Sequence, residues 1–350
     1  MAIALEEKRR LPLLTVSEVR SSRACARQHH YRYDLGFRPV KNAPTLAFGT
    51  LFHAGLEAWW LARQRIAWTP ECQPGDADGV DVLQAALDAI AEHARKVETD
   101  TIERIRAEEL MIGYHARWYV EPLEVLGVET VFRTELRNPE TGAASRTYEL
   151  AGKLDAIVRC LRTGRVLIVE HKTSGEDITL GGEYWSRLRL DAQVSTYYVG
   201  ARALGHEPAG MLYDVIGKVR LEQLKATPIE SRKYKKGTNE LYANQRAEDE
   251  SLDDYRERVR ADIAERPDRY FARGEVVRLE EEEREAAFDT WQTAALIREG
   301  RRLERFPRNP DACVRYGRTC DYFPVCTGEA ALTDVHRYQH VGDVHEELKS

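Results

Sequence analysis

At 350 residues, 43% of them hydrophobic, the chain is long enough to bury a substantial core, as one elaborated domain or two. With 31% charged residues and no apolar run of membrane-spanning length, it reads as a soluble, cytosolic protein, and its opening MAIALEEKRR lacks a signal-peptide core. A formal net charge of −6 excludes a protein that grips nucleic acid through overall charge, so any such grip must be local.

Val16 to Asp34, rich in Arg, His and Tyr, reads as a short helix with Ser17 as N-cap and Gly36 beyond its end, and it carries Cys25. Thr45 to Ile66 is a second helix whose Phe48, Phe52, Leu56, Trp59 and Trp60 form an apolar stripe, with His53 beside it. Pro, Gly and Asp mark a loop from Thr69 to Gly79 that contains Cys72. Helices follow over Val80 to Val97 and Asp100 to Glu121. Val125 to Arg137 then reads as the first strand, ending at an Asn138-Pro139-Glu140-Thr141-Gly142 turn. Glu129 could approach a site from that strand, but it is assigned a surface or structural role and left out of the catalytic set.

Two β-branched apolar runs come next, Leu150–Cys160 and Val166–Lys172, joined by Arg162-Thr163-Gly164-Arg165. Gly164 supplies the positive φ of a tight turn, so the expected unit is an antiparallel hairpin. A two-residue Thr163-Gly164 loop sets Arg162 opposite Arg165, which puts Asp155 opposite Lys172 with Glu170 diagonal to it, all on one face. A loop longer by one residue would turn Asp155 to the other face. Asp155 and Glu170 interrupt runs that otherwise read as buried. Two carboxylates so close raise each other's pKa unless a hard cation such as Mg²⁺ or Mn²⁺ turns repulsion into ligation. Lys172 beside that metal could activate or orient water and stabilise charge on a phosphate, which is metal-assisted hydrolysis. The bland alternative is a solvated strand face carrying a Glu–Lys pair.

Asp191 to Tyr198 reads as a helix that sets Gln193 and Tyr197 one turn apart on one face. Met211 to Gly217 is a further strand, Lys218 to Leu241 is charged and poorly patterned, and Ser251 to Glu265 and Glu280 to Leu303 are helical. Glu280 to Glu283 sit in a first turn, where the helix dipole favours them. Local basic patches are Arg159, Arg162 and Arg165 at the hairpin tip, Arg187 with Arg189, and Arg232-Lys233-Tyr234-Lys235-Lys236. The last suits phosphate contact with base stacking, or a plain solvated loop. Cys313, Cys320 and Cys326 crowd one terminal loop, and in a cytosolic chain that points to metal ligation before disulfides. A fourth ligand is needed, and the spacing does not separate Zn²⁺ from an iron–sulfur cluster.

Gly152-Lys153-Leu154-Asp155 followed by Val169-Glu170-His171-Lys172 resembles the PD-(D/E)XK nucleases, in particular the RecB-like branch that includes the CRISPR-associated iron–sulfur exonucleases. The resemblance implies an α/β restriction-endonuclease-like core with a central mixed sheet flanked by helices over residues 125–280. An N-terminal helical region, 1–124, would precede it and a helix with the cysteine region, 281–350, would follow. It further implies that Asp155 and Glu170 hold Mg²⁺ or Mn²⁺, that His171 lends its backbone carbonyl, and that Lys172 serves catalysis. Gln193 and Tyr197 match the family's Gln-x-x-x-Tyr helix on the DNA side, and His53, in a Gly49-x-x-x-His53 setting, matches a further metal ligand. Cys25 with Cys313, Cys320 and Cys326 resembles the one-before, three-after arrangement that holds a [4Fe–4S] cluster, which leaves Cys72 and Cys160 over. The chain departs from the family pattern in lacking a Pro before Asp155.

The implied activity is metal-dependent DNA hydrolysis, as an exonuclease on ends or single strands in recombination, repair or phage DNA processing. Recombination or repair proteins and a second copy of the chain stay open as partners. A catalytically silent iron–sulfur adaptor is the rival from another class, and the intact Asp155, Glu170 and Lys172 count against it. A zinc-stapled structural protein would leave the hairpin carboxylates without a purpose.

Overall fold

The chain enters through a short strand, β1 (Leu13–Thr15), and Thr15, not Ser17, caps α1 (Val16–Ala24) by accepting the Glu18 amide at 3.3 Å. The computed structural model describes residues 10–40, 44–71, 73–75, 79–315 and 318–349, with the backbone alone for 44–46. The single helix expected up to Asp34 is broken at Cys25, whose extended backbone (φ −165°, ψ 118°) starts α2 (Ala26–His29) and a π-turn over His30–Asp34. After β2 (Phe37–Pro39) come α3 (Pro44–Arg63), α4 (Val82–Lys96) and α5 (Thr101–Trp118), close to their expected bounds. Asp81 and Asp100 accept amides of the first turns of α4 and α5 and so set where these two helices start.

The long strands β3 (Leu123–Arg137), β4 (Ala144–Cys160) and β5 (Val166–Ser174) follow, then α6 (Glu183–Leu188) and α7 (Ala192–Ala203). Next are β6 (Pro208–Gly217), α8 (Leu252–Glu265), α9 (Pro267–Tyr270), β7 (Phe271–Val276) and α10 (Glu280–Leu303). The C-terminal stretch holds β8 (Val314–Arg315), β9 (Arg318–Thr319), α11 (Phe323–Thr327) and β10 (Tyr338–His340).

Among the described residues six strands build one mixed sheet in the order β1-β4-β5-β6-β7, with β3 against β4. The β1–β4 and β5–β6 pairs are parallel and the rest antiparallel. Alternation along the strands supplies an apolar layer to each face. Ala156, Val158, Leu167 and Val169 pack with Phe52, Trp59, Leu110 and Val259, from α3, α5 and α8. Ile157, Ile168, Met211 and Tyr213 pack with Val194, Tyr198 and Ile297, from α7 and α10. Gly152 has a packing reason to be glycine, because a Cβ there would stand 2.6 Å from the ring of Phe132, itself 1% exposed. Among the described residues no helix is long and apolar enough to cross a membrane.

The hairpin forms, but not in the expected register. Its ladder pairs Arg159 with Val166 and Ala156 with Val169, closed by a longer turn in which the Cys160 amide donates to the Arg165 carbonyl at 2.9 Å. Continued by one step, that ladder sets Asp155 level with Glu170 and not with Lys172. The slip is an even number of residues, so all three side chains keep a common face.

β4 is the hub of the sheet. One edge pairs with β3, while the other pairs with β5 as far as Ala156 and with β1 from Glu149 to Ala151. Between those two ladders Gly152 to Asp155 have no partner strand on that edge among the described residues. The sheet forks there, and the fork receives the polar side chains.

Candidate active site in the strand fork

Asp155 is the first residue beyond the β4–β5 ladder, and its Oδ2 accepts the His171 amide at 2.8 Å. A backbone donor at the parting of the strands is thereby satisfied by a side chain. Glu170 is 2% exposed, and its Oε1 accepts from Gln193 Nε2 at 2.7 Å and from the Lys172 ammonium. Its Oε2 is buried with no hydrogen-bond partner among the described residues. Gln193 also donates to the Tyr197 hydroxyl at 2.9 Å. The start of α7 is fixed by Asp191, which accepts the Gln193 amide at 2.9 Å and an Arg20 bond at 2.5 Å from α1. Arg20 reaches the Gln193 side-chain oxygen as well, at 3.4 Å.

The His171 side chain lies on the other face, as alternation requires. It is 3% exposed, its ring is 5.7 Å from that of Trp60, and its Nδ1 is 3.0 Å from Asp214 Oδ2. Asp214 is clasped in turn by Arg273, at 3.0 Å, and by the Tyr114 hydroxyl, at 2.5 Å. His53 stands edge-on to the His171 ring at 6.2 Å, within hydrogen-bonding reach of the His171 backbone. The structure thus places Asp155, Glu170, Lys172, Gln193 and Tyr197 in one connected group, with His53 beside the His171 peptide.

Electrostatics assign states to these groups. Burial, then repulsion from Asp155, raises the Glu170 carboxyl to about 6 against the pull of Lys172. Burial raises Asp155 too, opposed by His171 and Lys172. For Lys172 burial works downward, but Glu170 and Asp155 outweigh it and leave the ammonium above the ordinary lysine value. Lys172 is therefore a cation at neutral pH, suited to orienting water and stabilising negative charge, and not to removing a proton. Burial, followed by His171 and Lys172, pushes His53 down to about 4, which keeps its imidazole neutral and able to ligate.

Among the described residues no three His, Cys, Asp or Glu side chains close into a preassembled metal group. The donor chemistry in the fork still fits a hard divalent cation. It offers two carboxylates, one with an orphaned buried oxygen, a neutral imidazole and the His171 peptide. Glu129, set aside from the sequence, adds a third carboxylate nearby: it sits at φ 47°, pairs with Lys153 and helps raise Asp155. Arg20 also escaped the sequence reading, since its partner Asp191 is 171 residues away and no local pattern announces the pair.

Cys25, Cys313, Cys320 and Cys326 lie on neighbouring segments at a separate corner. The Cys320 amide donates to the Cys313 carbonyl at 2.7 Å, while Asn309 donates to the Ala24 carbonyl at 2.9 Å and ties this corner to the end of α1. Burial raises the Cys320 and Cys326 thiols, and Cys25 and Cys313 add to the rise in both, although among the described residues no three of these cysteines close into a metal-holding group. All four are free thiols. Tyr31, Tyr322 and Tyr338 form a small core beside them. Cys160 packs against the main core, and Cys72 lies outside the described residues.

The hairpin-tip arginines do not serve the fork. Arg159 pairs with Glu124 and Arg165 with Glu275, about 20 Å along β5 from Lys172. The Arg232–Lys236 stretch is a loop between β6 and α8 in which Lys235 pairs with Glu240. Arg187, by contrast, shares a cleft with Lys172.

The family model of the PD-(D/E)XK nuclease superfamily matches residues 13–327. Among solved structures, a candidate exonuclease from Eubacterium rectale is similar at 9% identity with a TM-score of 0.47, over 95% of this chain and 94% of that one. The protein SSO0001 is similar at 14% identity with a TM-score of 0.27, over 71% of this chain and 84% of its own. No curated protein matches the chain.

Proposed function

From the premise that the chain belongs to the PD-(D/E)XK nuclease superfamily, we propose that it hydrolyses DNA phosphodiesters in the β4–β5 fork with a divalent metal, as an exonuclease acting on ends or single strands. The observation that carries this reading is the meeting of Asp155, Glu170 and Lys172 on one face, with Glu170 Oε2 buried and unpartnered. Asp155, Glu170, the His171 carbonyl and His53 are the groups that would hold Mg²⁺ or Mn²⁺, and the ion would supply a polarised phosphate and a nucleophilic water at neutral pH. The chain's own groups do the rest. Lys172, charged, draws the scissile phosphate toward the fork and stabilises the charge that grows on it. Gln193 holds Glu170 by its side-chain amide and is itself fixed by Tyr197 and Arg20. Trp60 and Asp214 fix the His171 ring on the far face, which steadies the peptide between Glu170 and Lys172.

The four cysteines support a [4Fe–4S] cluster as a second centre, which would join α1 to the C-terminal stretch and add folding free energy. In this reading residues 125–280 form the nuclease core, with the regions 1–124 and 281–350 supplying His53 and the cluster ligands. Incubation of end-labelled linear DNA and covalently closed circles, with and without Mg²⁺ or Mn²⁺, tests it. Linear DNA should be degraded only with metal, and closed duplex circles should resist. Equal attack on circles would overturn the exonuclease assignment, and no cleavage with either metal would overturn the whole reading.

A further inference from the structure

Between α1 and the segment joining β5 to α7 lies a cleft of about 550 Å³ whose lining includes Lys172, Arg20, Arg23 and Arg187. The three guanidiniums each have an acidic partner, yet the arginine side chains remain 50%, 35% and 43% exposed. A guanidinium has five donors, so such pairing leaves capacity for a phosphate. The net charge of −6 makes this local concentration of cations the more telling.

Leu190 stands at the same cleft and is 93% exposed. So bare an apolar side chain would mean little on a loose loop, but its backbone is pinned on both sides. Buried Arg278 donates to the Leu188 carbonyl at 2.9 Å and to the Asp191 carbonyl at 3.0 Å. Trp185 Nε1 donates to the Ile178 carbonyl at 2.9 Å, and Ile178 and Leu188 are themselves buried. The exposure is therefore built into the segment. Tyr184 lines the cleft as well, with the Arg187 guanidinium 5.5 Å from its ring centre.

We propose that this cleft takes one unpaired DNA strand, with its phosphates on Arg20, Arg23 and Arg187 and a base against Leu190 and Tyr184. Leu190 then selects unpaired over paired ends. The inference rests on the nuclease reading above only for the place of the scissile phosphate, at Lys172. The chemistry favours a single strand because a phosphate gains nothing from Leu190, whereas a base face does. In a duplex those faces are stacked away, and only an unpaired strand offers faces to apolar groups while its phosphates meet cations.

The test is fluorescence anisotropy of labelled oligothymidylate, oligouridylate and a blunt DNA duplex of equal length, bound to the full chain in EDTA so that nothing is cut. Wild type should prefer oligothymidylate. Leu190→Ser should weaken that binding about tenfold, as expected for withdrawing one buried aliphatic contact, with the duplex and the salt dependence unchanged. Arg187→Ala should weaken strand and duplex alike and flatten the slope of log affinity on log salt by about 0.7. Tyr184→Ala, assayed alongside, should act in the same direction as Leu190→Ser. Unchanged oligothymidylate affinity in both the Leu190 and Tyr184 variants, equal losses on strand and duplex in those two variants, or a wild-type preference for oligouridylate would each overturn the proposal. A Leu190 effect without any metal-dependent cleavage would keep this inference and overturn the nuclease reading, and normal cleavage without a Leu190 effect would do the reverse.

Discussion

Arg273→Leu probes the scaffold behind the fork. The Arg273 side chain is 5% exposed; it donates to Asp214 Oδ2 at 3.1 Å and to the Tyr114 hydroxyl at 2.8 Å, and its Nε lies 3.0 Å from Asp214 Oδ1 in an ion pair, besides its pair with Glu121. Asp214 is 1% exposed; burial works to raise its carboxyl, but Arg273 and then His171 outweigh it and hold the group well below the usual carboxylate range. Leucine would leave that carboxylate buried with only Tyr114 and His171 for company, a loss of about 3–5 kcal/mol. Urea unfolding followed by tryptophan fluorescence measures it. Because folding depresses the Asp214 pKa, its stabilising contribution is present above the unfolded value near ~3.9 and is lost as pH falls through the folded value. The variant lacks that depression and relieves its buried charge by protonation, so its deficit should be largest near about pH 8 and shrink toward about pH 5. Adding Asp214→Leu should recover part of the loss, since an apolar pair can replace a buried ion pair at little cost. A loss under about 1 kcal/mol, or one that does not vary with pH, would refute the reasoning.

Other consequences are equally concrete. Lys172→Ala should cut turnover by about a hundredfold or more while leaving Mn²⁺ binding measurable by calorimetry, since Lys172 is a cation beside the ligands and not one of them. Wild-type Mn²⁺ affinity should fall as pH drops below about 6, because Glu170 must lose its proton before it can ligate; affinity flat down to pH 5 would remove Glu170 from the ligand set. Anaerobically purified protein should be brown, with iron and acid-labile sulfide near about four per chain. Cys25→Ser, Cys313→Ser, Cys320→Ser or Cys326→Ser should bleach it and lower its Tm, whereas Cys160→Ser should not; colourless protein with stoichiometric zinc would reject the cluster and leave the fork untouched.

What was legible in the sequence followed from period. The α3 stripe of Phe48, Phe52, Leu56, Trp59 and Trp60 is wholly buried, whereas the one cap assigned from the sequence, Ser17, gives way to Thr15. Asp155 and Glu170 showed themselves by breaking apolar runs. The turn did not, because any register that slips by two keeps the same residues facing the core, so the apolar pattern is blind to the difference. Gly164 takes the expected positive φ of 71°, but within a longer loop. β1 is three residues long, too short to carry a pattern, and β7 is interrupted by Arg273 and Gly274. The break at Cys25 left no propensity signal either, since α1 and α2 on both sides are ordinary helix. Arg20 and Asp214 act through partners far along the chain, and such pairs leave no local trace.

The central claim is that Asp155 and Glu170 act together in the fork, and the most direct measurement compares Asp155→Asn and Glu170→Gln with wild type. End-labelled single-stranded DNA is the substrate, with cleavage followed in Mg²⁺ or Mn²⁺ and binding followed in EDTA. Each substitution removes one anionic donor and touches none of the cleft arginines, so cleavage should fall by about a hundredfold or more while binding stays within about twofold of wild type. Cleavage by either variant at the wild-type rate would contradict the assignment of the site.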